Sequence, residues 1–292
     1  MVGVSGGLDS SVLLALLVAF DYRNLTVCHF DHALRGARGA ADRGFVEDLA
    51  KGYGLPCHSE TAGPIPRGQS LELAARTLRF QFYARVAERL HTQTLWLGHH
   101  ADDQVETVLF RLFRGVGGLG RAGMQGKSTH TAGGVHLTLH RPLLAVWKAD
   151  LERYAHQHGL TWREDETNVA PEPVRNRLRH ETLPALASAM GRDVRPAVLR
   201  CWEAAAAEED LLKTLTPAFW LEPTLPVPRL QALPIALQRR VVHSWLERLE
   251  IPDCGWTEVE RVRGLVYSQR PAKVNLPGSH HARRRAGKIW IE

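Results

Sequence analysis

The sequence predicts an α/β protein: a doubly wound parallel sheet with helices on both faces, followed by a smaller C-terminal domain of mixed α and β structure. Three observations carry that expectation. Short apolar, β-favouring segments alternate with longer segments of helical periodicity across residues 1–113. The 292 residues exceed a typical single domain of roughly 100–200 residues. Prolines crowd at 217, 223, 226, 228 and 234, a late shift in composition.

In chain order, residues 2–4, 25–30, 56–60 and 95–98 read as parallel strands, with 10–20, 39–53, 70–90 and 102–113 as the helices that follow them. Only Met1–Val4 precede the first loop, so the leading strand is expected to be short, even truncated. Residues 115–134 are dense in glycine and read as a loop near the site, and 135–139 as a short strand before Arg141-Pro142-Leu143-Leu144. Helical pattern resumes at 148–158, yields to a polar stretch at 164–174, and returns at 175–186 and 193–215. The expected domains are a catalytic one over 1–189, a connecting helix over 190–215 and an accessory domain over 216–292. Within the last, 216–234 reads as a linker or irregular edge, 235–249 and 257–268 as amphipathic helices, and 273–276 with 288–292 as a hairpin around Arg283-Arg284-Arg285.

A composition of 44% apolar and 23% charged residues is that of a globular protein. The net charge of +6 suits a polyanionic partner, nucleic acid foremost, or is only a basic surface; charge alone leaves both open. Cys28, Cys57, Cys201 and Cys254 lack paired spacing, which argues against zinc or iron–sulfur sites and fits a reducing cytoplasm. With no charged leader and no apolar run of bilayer length, neither export nor a membrane role is expected.

Four motifs carry chemistry. Ser5-Gly6-Gly7-Leu8-Asp9-Ser10 joins an apolar strand to an apolar helix, where backbone N–H groups can wrap a phosphate; an ordinary capped turn is the plainer alternative. The usual P-loop lysine is absent, which disfavours γ-phosphate transfer. His29-Phe30-Asp31-His32-Ala33-Leu34-Arg35 ends the second strand, at the sheet edge where ligands bind; the lesser alternatives are His29, Asp31 and His32 as metal ligands, which would leave the glycine loop unexplained, or a satisfied polar strand end. Glu72, Arg76 and Arg79 share a helical face, a stripe that pairs with solvent and Glu72 or from which Arg76 clamps a phosphate or carboxylate. In Gly98-His99-His100-Ala101-Asp102-Asp103-Gln104-Val105-Glu106-Thr107, Asp103 and Glu106 point the same way and form an acidic pair for a cation or ammonium group. Helix capping is the alternative for Asp102 and Asp103.

Together these motifs, with Arg141–Leu144 and the block Asp165, Asn168, Arg175-Asn176-Arg177-Leu178-Arg179 and Leu183-Pro184, resemble the tRNA(Ile)-lysidine synthetases in order and approximate spacing. That family belongs to the N-type ATP pyrophosphatases, or PP-loop enzymes, and the resemblance covers about residues 2–187. It implies a Rossmann-like PP-loop fold and an ATP-dependent, AMP-forming ligase. The substrate implied is the cytidine at the first anticodon position of tRNA(Ile) with a CAU anticodon, adenylated at C2 and then attacked by the side-chain amine of L-lysine. The resemblance implies ATP contacts from Ser5, Gly6, Gly7, Leu8, Asp9, Ser10, His29, Phe30, Asp31, His32, Arg76 and His99, with Mg²⁺ held through Asp9. It implies catalytic or lysine-binding roles for Asp9, Asp103, Glu106, Arg175 and Asn176. Candidates to grip the tRNA are Arg35, Arg111, Arg114, Arg121, Arg179, Arg283, Arg284, Arg285 and Lys288. A cytoplasmic enzyme is implied, and a homodimer is open to it. The rivals are another PP-loop enzyme such as a tRNA thiolase or amidotransferase-type synthetase, a metal-dependent hydrolase built on His29, Asp31, His32, His99, His100 and Asp102, and a tRNA-binding protein without catalysis.

Overall fold

The computed structural model of the chain describes residues 1–33, 37–63, 71–115, 123–163, 173–267 and 271–292. They form two compact units, Met1–Thr107 with Met124–Leu199, and Val108–Gly123 with Arg200–Glu292.

The first part of the chain runs β1 (Val2–Gly3), α1 (Leu8–Ala19), β2 (Val27–Asp31), α2 (Ala37–Gly52), β3 (Cys57–Thr61), α3 (Leu71–Arg89), β4 (Thr94–Trp96), α4 (Ala101–Phe113). A hairpin of β5 (Lys127–Ala132) and β6 (Val135–His140) follows, then α5 (Lys148–Gln157), α6 (Pro173–Arg177), a π-helical turn (Leu178–Thr182), α7 (Leu183–Met190) and α8 (Arg195–Leu215). The sheet order is β3-β2-β1-β4-β6-β5. All neighbours pair parallel except β5, which pairs antiparallel with β6. The chain winds outward from β1 to β3 and then crosses to β4 on the other side of β1. The crevice beyond the ends of β1 and β4 is therefore a topological switch point, the place where open α/β sheets bind ligands.

Short as it is, β1 is tied on both sides. Val2 pairs with Val27 and Trp96, and the Val4 N–H donates to the Cys28 carbonyl at 2.9 Å. Gly3 has to be small: a Cβ there would meet the Tyr83 hydroxyl at 2.8 Å and Leu97 at 3.0 Å. Helix α1 is apolar all round because it is covered on most sides. Leu13, Leu14 and Leu17 pack with Val46 of α2 and with Leu151 and Ala155 of α5. On the opposite face of the sheet, Phe80, Tyr83 and Val86 of α3 cover Cys28, Leu95 and Leu137. Truncating one such leucine to alanine costs about 2–5 kcal/mol.

The expected fold class is found, with one correction in this unit. Residues 127–132, expected within a glycine-rich loop, are strand β5. Gly133 (φ +56°) and Gly134 (φ +82°) form the tight two-residue turn of a hairpin, so their glycines mark a register and not a loop. The strand was hard to read because its half-buried face is Ser128, His130 and Ala132, with little apolar alternation. Residues 116–122 of that expected loop lie outside the described residues.

The second unit contains a 3₁₀ turn (Ala218–Leu221), β7 (Leu225–Pro226), α9 (Val227–Gln231), α10 (Ile235–Arg248), α11 (Trp256–Gly264), β8 (Lys273–Asn275), β9 (His281–Arg285) and β10 (Lys288–Ile291). Its antiparallel sheet has the order β7-β10-β9-β8. Two further corrections belong here. Of the two readings of the proline-rich stretch 216–234, the linker is excluded and an irregular edge of the domain is kept, since Phe219, Leu225 and Leu230 are buried in a core with Trp245 and Ile289. Its prolines sit where a missing N–H costs least, Pro228 in the first turn of α9 and Pro234 at the N-cap of α10. Arg283, Arg284 and Arg285, expected at a hairpin tip, lie within β9, and the turn to β10 is made by Ala286 (φ +50°) and Gly287 (φ +73°). Among the described residues no helix is long and apolar enough to cross a membrane.

Candidate active site

The glycine loop follows β1 directly. Gly6 adopts φ +94°, a conformation that favours glycine. Ser10, in the first turn of α1, closes the loop. Its hydroxyl donates to the Gly7 carbonyl at 3.1 Å and accepts the Ser5 N–H at 3.1 Å, while the Ser5 hydroxyl lies 3.1 Å from it and accepts the Gly7 N–H at 3.3 Å. The Gly6 carbonyl is held from outside by the Arg163 N–H at 2.9 Å. Gly98, at the end of β4, presses on this turn: a Cβ there would stand 2.9 Å from the Asp9 carbonyl oxygen. The first N–H groups of α1 have no intrahelical partners and open toward the switch point. Leu8 turns the other way, into the core between α1 and α2.

Asp9 is the first charged group at that opening. Burial pushes its carboxyl above the ordinary aspartate range, against the pull of His100. Its Oδ1 is buried without a hydrogen-bond partner. An unpartnered hard oxygen beside a phosphate cradle suits Mg²⁺, which binds through one or two carboxylates plus substrate phosphates and water. Among the described residues no three His, Cys, Asp or Glu side chains form a metal-binding group.

At the end of β2, His29, Asp31 and His32, the trio of the rival metal reading, point in separate directions. His29 Nδ1 lies 2.9 Å from the Val4 carbonyl and donates to it, while Nε2 is buried without a hydrogen-bond partner. Asp31 accepts the Ala33 N–H at 2.9 Å and packs against Gly39 of α2, where no side chain would fit. Phe30 rests on Phe82 and, edge to face, on His32. Phe30 and His32 border a cavity of about 320 Å³ that also reaches Ser5, Asp9, His99 and Asp103. Arg79 lines that cavity, with its Nε buried and unpartnered; Arg76, one turn earlier, is exposed and lies over the Phe80 ring at 5.0 Å. Burial, helped by Arg141, Arg79 and Arg76, outweighs Asp103 and holds the His99 imidazole neutral, well below the usual histidine range.

Past β4, His100 is a buried hub. Its Nε2 is 3.6 Å from Asp9 and 3.4 Å from Asp103, and its Nδ1 is 3.5 Å from Asp102. Burial lowers its pKa, but the three carboxylates outweigh that and raise it overall. Asp102 is more than a cap: it accepts the Lys148 N–H at 3.0 Å and Arg195 Nη1 at 2.8 Å, tying α4 to the starts of α5 and α8. Burial alone would raise its pKa, yet His100, the Lys148 N–H and Arg195 hold it well below the usual range.

The acidic pair is present, and it is occupied by an arginine. Arg179 Nε donates to Glu106 Oε1 at 2.6 Å, and Arg179 Nη2 to Asp103 Oδ1 at 3.4 Å. Burial raises the Glu106 pKa, only partly offset by Arg179 and Arg175. Arg175 and Asn176 are half-buried on α6, one turn before Arg179. Glu106 and Arg179 form part of the wall of a second cleft of about 790 Å³, shared with Trp147, Lys148 and Arg195.

Arg35, Arg121 and the Glu72 side chain lie outside the described residues. In the second unit, Arg111 donates to the Gly123 carbonyl and Arg114 lies over the Phe110 ring. Arg283, Arg285 and Lys288 are exposed and share a sheet face with Lys273, although Arg283 pairs with Glu292. Arg284 points to the other face and donates to the carbonyls of Leu265 and Tyr267.

The sequence pointed to His100 only within the rival metal site, and did not mark Arg79, Gly98 or Arg195 as site residues. The signal for His100 was available, as the second histidine of a pair at a strand end. Arg195 carried none, because its partner Asp102 lies 93 positions away.

Comparison with known proteins agrees with this geometry. Residues 1–186 match the family described as PP-loop domain, and residues 225–290 match the TilS substrate binding domain. The tRNA(Ile)-lysidine synthase of Pseudomonas aeruginosa is 35% identical over 99% of this chain and 68% of its own length. That of Geobacter sulfurreducens is 35% identical over 95% of this chain and 61% of its own, and that of Bacillus subtilis 35% identical over 85% and 55%. The chain thus spans between about half and two-thirds of the length of these relatives. Among solved structures, the U34-tRNA thiolase NcsA of Methanococcus maripaludis shares the fold, with a TM-score of 0.55 over 70% of each chain at 16% identity. The PP-loop match over most of the chain, together with a relative matched over two-thirds of its length, shows that this chain belongs to the tRNA(Ile)-lysidine synthase family.

Proposed function

We propose that this chain joins L-lysine to C2 of the cytidine at the first anticodon position of tRNA(Ile) with a CAU anticodon, converting its decoding from AUG to AUA. ATP first adenylates the C2 oxygen and pyrophosphate leaves; the lysine side-chain amine then attacks C2 and AMP departs with the C–O bonding electrons. The observation that carries this reading, beyond family membership, is the position of His100 within 3.6 Å of Asp9 and 3.4 Å of Asp103. Through it, a phosphate-binding loop and an amine-binding acid pair adjoin at one switch point.

The first-turn N–H groups of α1 hold the leaving pyrophosphate, with Arg79 and Arg76 on the phosphate side. Asp9 would hold Mg²⁺, which when bound supplies positive charge against the charge developing on the leaving group. Phe30, His32, His29, Asp31 and His99 border the nucleotide. Asp103 and Glu106 receive the lysine ammonium, and Glu106, whose pKa burial raises, takes the proton that frees the amine. Arg175 and Asn176 reach for the lysine carboxylate or the tRNA. The target base must leave its stack to react. Arg283, Arg285, Lys288 and Lys273 form a basic sheet face for the tRNA backbone, with Arg35, Arg111, Arg114 and Arg121 as further contacts. The division of labour follows domains 1–189, 190–215 and 216–292, and the compartment is the cytoplasm.

The test is incubation with labelled lysine, ATP, Mg²⁺ and total bacterial tRNA, followed by nucleoside analysis. Lysidine formed with one AMP per lysine supports the reading. Sulfur incorporation, or hydrolysis that needs no ATP, would replace it with a rival.

A further inference from the structure

Glu106 is almost fully enclosed, with 5% of its side chain exposed, and the group that meets it is the Arg179 guanidinium. The same guanidinium reaches Asp103, so one internal cation spans both carboxylates. An ammonium arriving from solvent carries the same charge and needs the same oxygens. The enclosed Glu106 cannot serve both.

Arg179 is built to leave. Its side chain is 42% exposed and borders the 790 Å³ cleft. It stands on the π-helical turn Leu178–Thr182, between α6 and α7. A π turn carries one residue more than an α turn, and shifting that extra residue along the helix rotates the turn's side chains without breaking the flanking helices.

We infer that Arg179 is an exchangeable internal cation, which fills the amine position of the Asp103–Glu106 pair and is displaced by the incoming substrate ammonium. This rests on the reading of that pair as the amine site. The exchange does two things. It lowers the apparent affinity for any amine by the fraction of molecules in which Arg179 is out, a selection against weakly binding cations. It also replaces a cation that stays protonated with one that can release its proton, so Glu106 meets a transferable proton only once the ammonium is seated. Arg175, which also acts on Glu106, sits on the preceding turn and remains.

Equilibrium dialysis of labelled lysine against the full chain, with a non-hydrolysable ATP analogue present, tests the exchange. Arg179→Ala is expected to bind lysine roughly fivefold or more tightly than the wild type. Arg179→Lys, which keeps an internal cation, should stay within about twofold, and Glu106→Gln should bind more weakly. Should Arg179→Ala lose its cooperative melt, Arg179→Gln is judged by the same criterion. Equal or weaker binding by the charge-removing variants, with Glu106→Gln impaired, overturns the exchange and leaves the amine site standing. Unchanged binding by Glu106→Gln removes the amine site itself, and the exchange with it.

Discussion

Gly98 lies so close to Asp9 that a methyl group on its Cα would stand 2.9 Å from the Asp9 carbonyl oxygen and 3.1 Å from the Ser10 nitrogen. Both neighbours are backbone atoms at the start of a buried helix, so neither can move aside alone. Gly98→Ala is therefore expected to shift the glycine loop off the end of β4. Misplacement of reacting groups by about 1 Å costs on the order of 100-fold in rate. Steady-state kcat/KM for ATP should fall by that order while the protein still melts cooperatively, and wild-type turnover would contradict the packing.

Glu106 sets an acid limit. Its pKa is raised by burial and held back by Arg179. The lysine-dependent release of AMP should therefore fail, as pH drops, at a value above the ordinary glutamate range. At subsaturating lysine, where the profile reports the enzyme before the amine binds, the limb in Arg179→Gln should move higher still. A pH profile of AMP release that shows an ordinary limb, unmoved by the substitution, would count against Glu106 as the base.

His100 and Asp102 predict opposite pH effects on stability. The folded Asp102 pKa lies below the reference 3.8, so its contribution is complete above that pH and is lost as pH falls toward the folded value. The folded His100 pKa lies above the reference 6.5, so its contribution is complete below that pH and is lost as pH rises through the folded value. Urea unfolding across pH should show both declines. Asp102→Asn should flatten the acid one and His100→Gln the other.

On the second unit, tRNA binding should weaken steeply with salt. Arg285→Ala and Lys288→Ala are each expected to reduce the log–log salt slope by about 1. Arg284→Ala should behave differently. Its guanidinium secures the Leu265 and Tyr267 carbonyls, so the loss should appear in melting temperature and not in the salt slope. A salt slope changed only by Arg284→Ala would reverse the assigned face.

Much of this was legible in the sequence because it is local. The glycine loop, the strand-end histidines and the Asp103–Glu106 spacing all lie within single motifs, and the alternation of strands and helices is set by neighbouring residues. What was not legible depends on distant pairing. Arg179 is 73 positions from Glu106, and periodicity says nothing about which basic side chain folds back onto an acid pair. The proline-rich stretch misled for a related reason. Its composition is that of a linker, and only the core around Trp245 shows that Phe219, Leu225 and Leu230 are drawn inside.

The central claim is that two adjoining sites perform two half-reactions, pyrophosphate release at the Asp9 loop and amine attack at the Asp103–Glu106 pair. It is tested most directly by following pyrophosphate and AMP separately with tRNA and ATP, before and after lysine is added, in the wild type and in Glu106→Gln. The prediction is that Glu106→Gln still releases pyrophosphate with tRNA and ATP but releases almost no AMP when lysine arrives. Equal loss of both products, or AMP release at the wild-type rate, would contradict it.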